Sequence, residues 1–401
     1  MKRILSALFG LLLLAALAAH AQLDYITNAD RMTVTITGYI GPAGAVIIPP
    51  TITGLPVTAI GTNAFQENSD PTSVTIPGSV TSIGYFAFYG CSGLTNASIP
   101  DGVTNIGNFA FSYTSLTSVT IPGSATSIGY QVFFNCSSLT SVTMAYGVTG
   151  FGYYAFYDCF SLTNVTIPGS VTSIDVGAFQ NCYSLASVTI PGSVTNLGDG
   201  AFYATALTNV TIPDTVANIG DSAFQFCAEL TSVTIPGSVT NIGDSAFQGC
   251  FGLGSVTIPG SVTSIGDYAF YGCSSLSNVY FTGNAPSADS TAISSDYDVT
   301  AYYLPGTTGW GTNFGGIPTA PWVLPNPVIL NNGASFGVQT NKFGFVISWA
   351  TNASVVVEAC TDLADPVWSP VATNTLTDGS SYFSEPVQRS LSGRYYRLSA
   401  P

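Results

Sequence analysis

The chain repeats itself. An Ala-Phe dipeptide, or its close equivalent, ends at Phe65, Phe88, Phe111, Phe133, Phe156, Phe179, Phe202, Phe224, Phe247 and Phe270, a step of 23 residues that shortens to 22 twice. A unit this short cannot bury a core alone, so each must cover the apolar edge of the next. The period therefore excludes an ordinary globular core for residues 46–283 and predicts about ten stacked units. At a strand spacing of about 4.8 Å, ten rungs make a rod about 50 Å long.

The unit beginning at Leu230 shows the local logic. Val233 and Ile235 alternate with Ser232 and Thr234, the period of a half-buried strand. Pro236 has no N–H for a ladder and stops the strand, and Gly237 turns the chain. Val239 and Ile242 return to the core, and Gly243 permits a tight bend. Asp244 is expected to cap a short helical turn carrying Ala246, Phe247 and Cys250 inward.

The recurring pattern C-x-x-L-x-x-I-x-I-P…V-x-x-I-G-x-x-A-F-x-x-C resembles the leucine-rich repeats of the BspA-like bacterial surface proteins. The match covers about 240 of the 401 residues. The resemblance implies a curved solenoid with strands on one face, and binding or adhesion outside the cell rather than catalysis.

Both flanks depart from the repeat. Lys2 and Arg3, the apolar run Ile4 to Ala19 and the site Ala19-His20-Ala21 read as a secretory signal peptide over residues 1–21. Residues 22–45 carry the alternating run Thr33 to Thr37 and are expected to cap the first rung. Residues 284–321 read as a C-terminal cap and linker, with a variant strand at Val299 to Pro305. Short strand-like runs through residues 322–401 predict a small all-β sandwich similar to fibronectin-III or immunoglobulin-like modules. The expected fold is thus a repeat solenoid with short helical turns, followed by a β-sandwich.

Composition narrows the chemistry. The only histidine, His20, lies in the leader, so the exported chain lacks the base of Ser-His and Cys-His triads and the commonest zinc ligand. No Lys or Arg stands between Arg31 and Lys342, which excludes a phosphate-binding stripe and hence nucleic acid there. The net charge of −14 becomes −16 when Lys2 and Arg3 leave with the leader. We expect a monomer that is secreted or held at the cell surface, with no membrane insertion after signal cleavage. No catalytic, cofactor-binding or metal-binding residues are expected.

Seven of the eight cysteines follow the repeat: Cys91, Cys136, Cys159, Cys182, Cys227, Cys250 and Cys273. Side chains in one column do not point at each other, so buried free thiols are expected in place of disulfides. Asp199, Asp221, Asp244 and Asp267 also share one register. They read as helix caps, against the sharper readings of a glycosidase pair or a shared calcium ion. The strand face carries a Thr ladder from Thr120 to Thr257, and aromatics crowd the middle of the rod. Tyr130, Tyr146, Tyr153, Tyr154 and Tyr157 form the candidate ligand-binding patch, suited to an extracellular protein or, alternatively, a cell-wall or environmental polysaccharide. Contacts through hydroxyls and Tyr rings predict binding that barely responds to salt.

Overall fold

A computed structural model of the chain describes residues 22–293, 298–331, 336–387 and 393–399. The expected leader lies outside them. Each repeat is one coil of a solenoid, and most coils give two short strands. Ser232–Thr234 pairs in parallel with Asn209–Thr211, with Val210 opposite Val233 and Thr211 opposite Thr234. Asn241–Ile242 pairs in parallel with Asn218–Ile219 on one side and Ser264–Ile265 on the other. Equal unit length keeps like residues opposite one another, so side chains form columns.

The expected helical turns are corrected: among the described residues there is no helix. An α-helix needs a run of i to i−4 bonds, and the Ala-Phe segment shares its N–H groups differently. Ser245, Phe247 and Gly249 donate to Asp267, Ala269 and Tyr271 of the following coil at 2.8–2.9 Å. The intervening Ala246, Gln248 and Cys250 donate back to Gly243, Ser245 and Phe247. This alternation forces two left-handed residues per coil, here Ser245 (φ 55°) and Gly249 (φ 69°). The result is a ribbon of turns bonded from coil to coil. Gly243 is needed because a Cβ there would lie 2.7 Å from the Asp221 backbone nitrogen.

The interior is a ladder of phenylalanines. Successive rings from Phe65 to Phe270 are stacked, with centroids 4.8 Å apart for the first pair and 5.5 Å for Phe111–Phe133, and all ten side chains are fully buried. Aliphatic columns such as Val239, Ile242 and Leu253 fill the rest.

All eight cysteines are free and buried. Each of the seven in the column points its thiol at the phenylalanine carbonyl of the preceding coil, as Cys250 does to Phe224 at 3.2 Å. Desolvation pushes the Cys91 and Cys273 thiols up to about 12 and those of Cys136 and Cys227 to about 11. The two shortened coils put Thr114 and Thr205 in this column. Their hydroxyls donate to Phe111 and Phe202 in their own coil and meet the next thiol at 3.2 Å.

The ends close the stack differently. Leu23–Thr27 lies antiparallel on Val34–Tyr39, which pairs in parallel with Leu55–Ile60. At the far end Asn278–Phe281, Thr300–Tyr303 and Ile317–Pro321 continue the first strand ladder in parallel. Beyond them lies an all-β region of two small sheets around Phe345, Ile347, Val355, Val357, Leu376 and Phe383.

Candidate interaction surface

The outer side of the turn ribbon is the most differentiated surface of the rod. Alternate ribbon residues, Ala and Phe, point inward, and the left-handed residues and their neighbours point out. In the second to fifth coils many of these outward positions carry aromatic rings. Phe86 and Phe109 stack at 4.9 Å. Phe109 meets Tyr130 edge-on at 4.9 Å. Tyr89, Tyr113, Phe134 and Tyr157 continue the contact at 5.3, 5.3 and 5.1 Å, and Tyr154 packs on Tyr157 at 5.6 Å. Gln131, Phe134, Tyr154, Tyr157 and Gln180 line a recess of about 350 Å³.

Four of the five tyrosines singled out from sequence lie on this ribbon. Tyr130 and Tyr153 share one column and are 39% and 56% exposed. Tyr154 and Tyr157 are partly buried in the ring network. Tyr146 stands apart: it occupies the turn after the strand Ser141–Met144, the register of Pro122-Gly123, and is 82% exposed. Sequence reasoning left Tyr85, Phe86, Tyr89, Phe109 and Tyr113 out of the patch. Their register was the available signal, because Tyr85 shares the column of Tyr130, and Phe86 and Phe109 that of Tyr154.

Four of these rings stand at the left-handed positions that every coil has. Phe86 (φ 54°), Phe109 (φ 58°), Tyr113 (φ 58°) and Tyr154 (φ 57°) are all left-handed. Bulky side chains rarely adopt this region, and Gly177 and Gly200 fill the equivalent position in the two coils after Tyr154. The hydroxyl of Tyr130 raises the Tyr85 phenol above its ordinary value, and desolvation followed by the Asp158 charge raises that of Tyr157.

In the column of Tyr130 and Tyr153 the later coils carry acid, while Phe226, Tyr268 and Tyr271 keep exposed rings elsewhere on the ribbon. Asp199, Asp221, Asp244 and Asp267 are exposed and do not cap helices, contrary to expectation. The Oδ1 atoms of Asp199, Asp221 and Asp244 each accept the backbone N–H of the next aspartate in the column at 2.9 Å. The column thus caps coils instead of helices. The neighbouring charges of Asp289, first, and of Asp244 raise the Asp267 carboxyl. Among the described residues no group of three or more His, Cys, Asp or Glu is placed to hold a metal ion. No helix there is long and apolar enough to cross a membrane.

The family model for the BspA type leucine-rich repeat region matches in six copies, over residues 58–186 and 172–300. The chain belongs to the BspA-type leucine-rich repeat family. Solved leucine-rich repeat proteins are similar to it. A leucine-rich repeat protein from Bacteroides ovatus is 24% identical over 70% of this chain and 98% of its own, with a TM-score of 0.42. A leucine-rich cell surface protein from Faecalibacterium prausnitzii is 30% identical over 66% of this chain and 94% of its own, with a TM-score of 0.33. A leucine-rich repeat protein from T. pallidum is 27% identical over 64% of this chain and 88% of its own, with a TM-score of 0.31. No curated protein matches the chain. Within the BspA-type coil, the Ala-Phe ribbon is where this chain departs most from uniformity.

Proposed function

We propose that this leucine-rich repeat protein is an exported interaction scaffold that binds an extracellular protein through the aromatic half of its turn ribbon. The observation that carries the reading is the continuous ring network from Tyr85 to Tyr157, built partly on left-handed residues. Tyr-rich surfaces with few charges are typical binding hot spots. The leader supports export.

Ring orientation favours a protein over a polysaccharide. A sugar ring stacks on an open aromatic face, whereas Phe134 and Tyr157 lie 7° from parallel and cover each other. What such a stack offers outward is ring edge and phenol hydroxyl, suited to apolar side chains and backbone carbonyls. Few charges stand among these rings, so affinity should change little with salt.

The test is a binding screen of the leaderless chain against matrix proteins and glycans, repeated with Tyr153→Ala/Tyr157→Ala. A protein ligand should lose about 2 kcal/mol or more of affinity, with the melting curve retained. A ligand bound equally by both chains, or found only among the glycans, overturns the reading.

A further inference from the structure

A second site lies at the far end of the rod. A cavity of about 510 Å³ separates the turns of the last coils from the all-β region, and no charged residue lines it. On one side Pro259, Gly260 and Ser261 line it, three consecutive turn residues. On the other are Val328, Ile329 and Leu330, again consecutive. Successive strand residues point to opposite faces, so three in a row can line one cavity only if the strand presents its edge. That edge is open: among the described residues Val328–Leu330 pairs on one side only, with Lys342–Ser348.

The turn wall has an unmet hydrogen bond as well. In earlier coils Ser79, Ser124, Ser170, Ser193 and Ser238 each donate their hydroxyl to a valine carbonyl of the preceding coil at 2.6–2.8 Å. Ser261 occupies the same register, yet its Oγ is buried and has no partner. A buried polar group left unpaired costs about 1–3 kcal/mol, so this turn is less well satisfied than those of the earlier coils. Trp322 lines it too and packs on Tyr280 at 4.6 Å.

We infer that this groove receives an extended, uncharged segment of a partner polypeptide, which adds as a strand to the open edge of Val328–Leu330. Main-chain bonds to that edge provide affinity, as in other strand additions. Leu304, Leu324 and Trp322 receive apolar side chains. An occupant with charged side chains would be desolvated against a wall that offers no counter-charge. The site is separate from the aromatic ribbon, so neither proposal depends on the other.

The probe is a random peptide library displayed on phage and panned on the immobilised full chain, with enriched peptides then measured by fluorescence anisotropy. Gly237 lines the groove and has open space where a Cβ would stand, so Gly237→Trp blocks the site without a core clash. Ser261→Ala removes the orphan hydroxyl and should leave thermal stability unchanged or raised. The expected result is enrichment of uncharged peptides with alternating apolar residues. Gly237→Trp should abolish their binding. Three outcomes overturn the inference: no enrichment, enriched peptides that bind Gly237→Trp equally, or self-association of the chain that Gly237→Trp removes, which would make the occupant a second copy.

Discussion

Phe156 sits in the middle of the ring ladder, fully buried, with Phe133 stacked at 5.4 Å on one side and Phe179 at 5.3 Å on the other. Replacing it with alanine removes both stacks and leaves a cavity that the coil backbones, tied to each other, cannot collapse to fill. A buried Phe→Ala change costs about 3–5 kcal/mol, and each lost ring pair accounts for about 0.5–1.5 kcal/mol of that. A stack of repeats is held by nearest-neighbour terms, so a central break also lowers the coupling between the two halves. Phe156→Ala should therefore lose about 3–5 kcal/mol in urea unfolding and broaden the transition or divide it in two. Phe270→Ala, next to one stacked ring at 5.2 Å, should lose less and keep a single transition. Near-ultraviolet circular dichroism reports the rings directly. Equal losses at both positions, or a loss at Phe156 below about 1 kcal/mol, the scale of a surface change, would refute the nearest-neighbour account.

Two further predictions use the same architecture. Cys91 and Cys273 ionise in the fold near 12 and Cys136 and Cys227 near 11, against an ordinary value of 9.0. The unfolded chain loses these protons first, so their stabilising effect is full below pH 9 and is lost as pH rises through the folded values. Urea midpoints should fall steadily above pH 9, with a shallower fall in Cys136→Ala; midpoints that stay flat contradict buried thiols. Tyr154→Gly relieves a left-handed tyrosine, worth about 1–2 kcal/mol, and loses a ring contact worth about 0.5–1.5 kcal/mol. Thermal stability should barely move while partner binding weakens, and a large loss of stability would make the ring structural.

Much of the rod was legible in the sequence, because its columns are periodic. The Phe step placed the ladder, the Val-Thr-Ile alternation placed the first strand, and the cysteine spacing anticipated stacked thiols. The turn ribbon was misread for a physical reason. Asp244 before Ala246-Phe247 has the local chemistry of a helix start, but its decisive hydrogen-bond partners stand one coil, or 22 or 23 residues, away. Left-handed Phe86 and Tyr154 carry no local mark, since propensity would place glycine there. Tyr146 joined the candidate patch by nearness in sequence, whereas surfaces of a solenoid are defined by register. The end groove could not be read at all, because it depends on where Val328–Leu330 comes to rest against turns that precede it by many residues.

Hydrogen–deuterium exchange of the leaderless chain, free and saturated with the ligand found in the binding screen, tests the central claim most directly. The account predicts slowed exchange on the ribbon between Gly84 and Phe160, with the Thr120 to Thr257 strand face unchanged. Protection on that strand face, or confined to the all-β region, would contradict it.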